Sequence, residues 1–157
     1  MTPAVQCLKR AKIEFELHTF DHDPNEIHFG QEAAQKLGIP AQQLFKTLVV
    51  CLDGSQLGVA VVPVSGQLNL KAFAKAMGGK KAKMAPKALV AKNTGYITGG
   101  VSPLGQKKTL PTVVDASAQD FETIVVSAGR RGLQMALAPG DLISLTRARV
   151  GMIAAPD

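Results

Sequence analysis

The chain has 157 residues, 46% of them hydrophobic and 19% charged, which suits one folded domain with an ordinary core and excludes a disordered chain. Two cysteines, Cys7 and Cys51, exclude a disulfide framework, and the longest apolar run, Leu57 to Val64, is too short to cross a bilayer. Lys9, Arg10 and Lys12 break up the N-terminus before a signal-peptide core could form, so the expected compartment is the cytoplasm, with no membrane partner.

The net charge of +6 is unevenly spread. Residues 54–114 hold nine lysines and no acidic residue, whereas 1–53 hold five basic and seven acidic residues and 115–157 hold four and five. Such a block points to a polyanion, because lysines that neutralise phosphates release counterions; the other reading is a solvated face that keeps the protein soluble. Aromatic residues are 4% of the chain and tryptophan is absent, which disfavours a base-stacking platform.

In chain order, Thr2-Pro3 reads as a helix cap with proline at the first helical position, and Ala4, Cys7, Leu8 and Ala11 form one apolar face. Glu14 to Phe20 alternates as a half-buried strand, and a polar loop runs from Asp21 to His28. A helix is expected over Gly30–Leu37, stopped by Gly38 and Pro40. Thr47–Leu52 and Leu57–Val64 read as a hairpin turning at Asp53-Gly54, apolar on both faces and so buried. Leu70, Phe73, Ala74 and Met77 mark the next helix. Another covers Pro86–Lys92, and Tyr96–Gly105 is a shaped loop. Strands are expected at Thr112–Asp115, Thr123–Ser127, Leu133–Leu137 and Arg149–Ile153, with a helix from Pro139 or Gly140 to Thr146. The sum is an α+β chain, one domain over residues 1–157, with a mixed, largely antiparallel sheet and helices around it.

His18, His22 and His28 sit among Asp21, Asp23 and Glu26, but their spacing matches no zinc pattern, so a solvated loop is favoured and no metal or other cofactor is expected. Cys7 and Cys51 lie on apolar elements and read as core residues rather than nucleophiles. No G-x-S-x-G elbow, P-loop or G-x-G-x-x-G occurs. Two glycine-rich segments, 95–108 and 127–132, could bring backbone N–H groups close to an anion or a developing oxyanion; taken singly each is an ordinary turn. Lys46, at the mouth of the most apolar strand, either clamps an oxygen from a pocket wall or reaches out to solvent.

Taken together, several blocks resemble the YbaK/EbsC-type proteins, a family similar to the editing domain inserted in bacterial prolyl-tRNA synthetases. They are Thr2-Pro3-Ala4-Val5, Phe29-Gly30, Phe45-Lys46-Thr47-Leu48, 63–68, Thr94-Gly95-Tyr96, 99–108 with Leu110-Pro111, and 127–133. The likeness extends from the first residues to about Asp141. It implies a compact, barrel-like mixed sheet surrounded by helices and deacylation of cysteine mischarged on proline tRNA, with tRNA as partner and prolyl-tRNA synthetase as a second one. Near-isosteric amino acids differ by only about 1–3 kcal/mol in binding, so a second hydrolytic site restores fidelity.

By position, Lys46 matches the family's critical lysine and Gly99-Gly100-Val101-Ser102-Pro103 its G-x-x-x-P loop, while Phe20, Phe29, Thr47, Ser127, Gly129 and Gln134 fall where the pocket is expected. The resemblance implies substrate-assisted chemistry in which the cysteine thiol attacks its own ester, so that no protein nucleophile is needed. Two positions depart from the pattern: Phe20 replaces a tyrosine and Gln134 an aspartate. The rival readings are a deacylase for alanine or serine, with Ser102 or Ser127 helping to place a water, and a non-catalytic tRNA-binding module.

Overall fold

The computed structural model describes residues 1–156. Helix α1 spans Pro3–Arg10, its first turn capped by Thr2 Oγ1, which accepts from Val5 N–H at 3.2 Å. Its buried stripe is Ala4, Val5 and Leu8; Cys7 is only half-buried and Ala11 is exposed. Strand β1 is Glu16–Thr19, and helix α2 is Phe29–Leu37, ended by Gly38 in the left-handed conformation. Strands β2 (Phe45–Leu52) and β3 (Gln56–Pro63) form the expected hairpin. At its tip Asp53 and Gly54 both have positive φ, 52° and 80°, as a tight turn between right-twisted strands requires.

Strand β4 (Gly66–Leu68) leads into helix α3 (Leu70–Ala76), then come strand β5 (Ala82–Met84) and helix α4 (Lys87–Thr94). After the loop at 95–111 the chain forms β6 (Thr112–Asp115), a 3₁₀ turn at Ala116–Asp120, β7 (Ile124–Arg130) and β8 (Leu133–Leu137). Helix α5 (Pro139–Thr146) and strands β9 (Arg149–Gly151) and β10 (Ala154–Pro156) complete the order. No described helix is long and apolar enough to cross a membrane.

The ladders make three sheets, ordered β5-β2-β3-β6-β9, β1-β8-β7 and β10-β4. Pairing is antiparallel except for the parallel joins β3–β6 and β6–β9. The central hairpin is buried on both sides by strict alternation. Val49, Val59, Val61 and Val114 face one core with α1, β7 and β8, while Val50, Ala60, Val62 and Val113 face a second core under Phe73 of α3. Pro63 is tolerated in this central strand because it lies beyond the β6 ladder and opposite Phe45, a pair that exchanges no hydrogen bonds.

Three expectations are corrected. The strand expected to end at Ser127 runs on to Arg130 through an irregularity between those two residues, where Gly129 takes φ 109°, so the segment 127–132 is the end of the β7–β8 hairpin. Strand β9 stops at Gly151, two residues early, because Ile153 N–H turns to Asp115 Oδ1. The hydrophobic pattern gave no sign of β4, β5 and β10, three-residue strands whose pairing depends on distant partners.

Candidate active site

The five-stranded and three-stranded sheets touch at one parallel bridge, Leu44 with Val125. Beyond it β2 and β7 part, and a cleft of about 720 Å³ opens between them. Its walls come from β2, the start of α2, β4, α4, the loop at 98–101, Ser127 of β7 and Gln134 of β8. The volume lies in the range of small-molecule sites, and the walls are mainly apolar with a few polar groups.

One wall is an open strand edge. Val64 N–H donates to Leu44 C=O, so ladder bonds of the hairpin run through the even residues of β2 and the backbone groups of Phe45, Thr47 and Val49 point outward. Strand β5 covers only Val50–Leu52, and Ala85 N–H takes Val49 C=O. The bridge to Val125 takes up the edge beside Phe45, and the stretch at Thr47, between that bridge and β5, turns an unladdered edge to the cleft. Thr47 Oγ1 is buried and has no hydrogen-bond partner, a state that costs about 1–3 kcal/mol for a hydroxyl.

Lys46 lines the same cleft and donates from Nζ to Gly66 C=O at 3.0 Å. That carbonyl is fixed from behind. Asp115, buried at the end of β6, accepts from Ile153 and Ala154 N–H through Oδ1 at 2.9 and 3.0 Å, which aligns β10 on β4. A Cβ at Gly66 would fall 2.6 Å from Ala155 O, so only glycine permits that approach.

The opposite wall is built around Phe29. Gly99 has φ 86° and its bare Cα lies against the ring, where a Cβ would sit 2.7 Å from Phe29 Cγ. The Arg131 guanidinium lies 4.6 Å from the ring centroid and its Nε donates to Thr98 C=O at 2.9 Å. His22 adds a tilted ring contact at 5.7 Å.

Behind Phe29, Glu32 is almost wholly buried. Burial would raise its carboxyl pKa, yet hydrogen bonds from His22, Asp23 N–H and Lys36 together lower it to about 2. The loop at 21–28 is thus anchored rather than simply solvated. Among the described residues no group of three or more His, Cys, Asp or Glu is placed to hold a metal ion.

Of the residues singled out from the sequence, Lys46, Phe29, Thr47, Gly99, Val101, Ser127 and Gln134 line the cleft. The others lie outside its lining. Phe20 packs near Leu44, Val64 and Val125 and borders a separate hollow with Arg130 and Arg131. Gly100 donates its N–H to Ile97 C=O and passes under Arg130, Ser102 is fully buried with Leu104 N–H on its Oγ, Pro103 is buried, and Gly129 allows close approach to Tyr96 and Thr2. These four shape the loops rather than the cavity surface. Cys7 and Cys51 are also outside the lining, as are all carboxylates of the described residues, and Ser127 Oγ accepts from Gly129 N–H. Gln67, Leu70, Lys87 and Thr98 line the cleft without having been singled out: Gln67 and Thr98 lie inside the blocks 63–68 and 95–108 but carried no expected role there, Leu70 read as a helix-face position, and the start of α4 carries no motif.

Fold and cleft define a small α+β domain with a deep, mostly apolar site that carries lysine and, among the described residues, no carboxylate. Residues 25–145 match the family of aminoacyl-tRNA editing domains, and the chain belongs to that family as an aminoacyl-tRNA deacylase with tRNA as its substrate. It is 39% identical, over 97% of its length and 92% of the relative's, to EbsC of Enterococcus faecalis, named as a candidate Cys-tRNA(Pro)/Cys-tRNA(Cys) deacylase. A proline–tRNA ligase of Shouchella clausii is 31% identical over 64% of the chain, which spans only 18% of that much longer enzyme. The fold is shared with a solved structure described as a hypothetical protein (TM-score 0.86, 23% identity, 98% of this chain and 100% of that one). It is shared too with one described as a candidate trans-editing enzyme for prolyl tRNA synthetase (TM-score 0.80, 22% identity, 99% of each).

Proposed function

We propose that the chain is a free-standing editing enzyme that removes cysteine mischarged on proline tRNA, with the substrate's own thiol as nucleophile. The observation that carries this reading is a cleft of aminoacyl-nucleoside size that gathers Lys46, Thr47, Ser127 and Gln134 yet includes no cysteine or carboxylate among the described residues. Likeness to EbsC over nearly the whole chain supports cysteine as the amino acid.

In this mechanism the cysteine Sγ attacks the ester carbonyl, a carbon–sulfur bond forms, and the ribose oxygen leaves with the thiol proton. The cyclic thioester so released is then opened by water. The enzyme supplies position and charge: folding the aminoacyl group so that thiol and carbonyl meet converts an improbable encounter into a fast unimolecular step. Lys46 holds the phosphate or ribose of the terminal adenosine. Backbone of Gly99 and Val101 faces the scissile carbonyl, where a fixed dipole acts on developing negative charge. Phe29 and Gln134 bound the amino-acid end. Prolyl-tRNA synthetase is the proposed partner that brings the correct tRNA, since the cleft itself is of a size for the aminoacyl end only.

A second reading is favoured by one observation. The unpartnered Thr47 Oγ1, in the cleft that Ser127 also lines, is suited to hold a water or a serine hydroxyl, which would make alanyl or seryl esters the substrate.

The deciding experiment measures tRNA release from cysteinyl-, alanyl- and seryl-proline tRNA, with purified protein and a no-enzyme control. Selective loss of the cysteinyl species is the expected result. Loss of the alanyl or seryl species reassigns the substrate, and no hydrolysis even with prolyl-tRNA synthetase added overturns the proposal in favour of a binding module.

A further inference from the structure

We propose that Lys80, Lys81 and Lys83, continued by Lys87 at the cleft rim, form a track that carries the tRNA backbone away from the active site. This rests on the deacylase reading above and names the surface that the substrate's nucleic-acid part uses.

The track begins at the cleft. Met84, Ala85 and Lys87 line it, and β5 leads outward from there along the edge of the five-stranded sheet, with Met84 opposite Val50 and Ala82 opposite Leu52. Strand β5 covers Ala82–Met84 and the turn beyond it carries Lys80 and Lys81, so the lysines are spread over up to about 13 Å from the cleft, the most that four residue steps can span at a strand's rise. That is long enough to meet several phosphates, which recur about every 3.4 Å of axis along a strand.

Lys80, Lys81, Lys83 and Lys87 are all exposed. The ion pairs among the described residues involve only His18, His22, His28 and Lys36, so no carboxylate of a described residue lies within ion-pair distance of these four lysines.

The outer end is pre-shaped. Asp53, at the tip of the β2–β3 hairpin, accepts Lys80 N–H at 3.0 Å and Lys81 N–H at 2.8 Å through Oδ1, and its own N–H donates to Lys81 C=O at 2.7 Å. The Asp53 carboxylate thus serves the backbone and fixes where the lysine side chains leave the chain. Lysine on an edge strand also deters pairing with other chains, and that alone would explain Lys83. It does not explain a positive run that passes beyond the strand at both ends, into a clipped turn and onto the rim of the cleft.

Two variants test the track. The first is Lys80→Ala/Lys81→Ala/Lys83→Ala, which leaves the cleft lining intact. It is assayed on cysteinyl-proline tRNA and on the minimal ester 3′-O-cysteinyl-adenosine, and for binding of uncharged tRNA between about 50 and 200 mM salt. Expected are a loss of about tenfold or more in kcat/KM on tRNA, carried by KM, and a salt slope shallower by about 2, at roughly 0.7 per single-strand contact. Hydrolysis of the minimal ester stays unchanged. Equal activity on tRNA, or an equal loss on both esters, overturns the proposal. So does a loss confined to Arg130→Ala, which would lay the RNA over the other rim.

The second variant is Asp53→Gly, which keeps the positive φ without strain. It makes the protein more positive, so attraction by charge alone predicts tighter tRNA binding. A pre-shaped track predicts weaker binding. If the wild-type protein hydrolyses neither ester, the deacylase reading fails by itself, while binding of uncharged tRNA by the two variants still decides for or against the track.

Discussion

Gly99 and Phe29 are complementary: the ring occupies the space that a side chain at 99 would fill, with the missing Cβ 2.7 Å from Phe29 Cγ. The first prediction follows. Gly99→Ala meets both a φ of 86° and the ring, and it should cost about 1–3 kcal/mol in stability and a hundredfold or so in turnover. Phe29→Ala in the same chain removes the clash, so the double variant should be more stable than the sum of the single losses predicts. Thermal melts of the four proteins measure this, and simple additivity would refute the coupling.

Lys46 is predicted to be needed for turnover and dispensable for folding. Lys46→Ala should lower kcat at least a hundredfold with an unchanged circular dichroism spectrum. Gly66→Ala pushes β4 from Ala155 and shifts the carbonyl that holds Nζ, so it should copy part of that loss although residue 66 is absent from the cleft lining. Near-normal activity in folded Lys46→Ala protein would sink the role given to the lysine.

Thr47→Val is predicted to separate stability from activity. Replacing an unpartnered buried hydroxyl by a methyl group relieves a desolvation cost, so the melting temperature should hold or rise. If the hydroxyl finds its partner in the substrate, kcat/KM should fall by about tenfold. An unchanged kcat/KM would leave Thr47 a packing residue only.

Glu32 gives the pH prediction. Its folded pKa, about 2, lies below the ordinary 4.5, so it contributes stability that is present above the unfolded value and lost as pH falls from about 4.5 toward 2. Each pH unit between those two values is worth about 1.4 kcal/mol, which puts the contribution on the order of 3 kcal/mol at neutral pH. Urea unfolding of Glu32→Gln from acid to neutral pH should show lower stability at neutrality and a flatter acid limb than the wild type. Parallel curves for the two proteins would contradict the assignment.

How much of this was legible in the sequence depended on the range of the interactions. The ends of β6 and β8 and the Thr2-Pro3 cap of α1 follow from local pattern, and so does the doubly buried hairpin, because alternation and capping act within a few residues. The cleft does not. It exists where β2 and β7 separate after a bridge between Leu44 and Val125, far apart in the chain, and no local pattern encodes that divergence. Lys46 and Gly99 were reached through their motifs, yet the same motifs also pointed to Ser102, Pro103 and Gly129, which hold the loops in shape from outside the cavity lining. Glu32 was missed because a glutamate on a short amphipathic helix looks solvated until His22 and Asp23 are seen folding back over it.

The join at Leu44 and Val125 makes the cleft a fork whose two prongs share a single crotch. A gap that opens from one join makes depth of entry a measure of girth: on the proposed reading a slim side chain would slide in until its ester reaches the lysine and glycine walls, and a bulkier one would halt short of them. Selection by size then needs no dedicated gate. It is a property of where two sheets stop being neighbours.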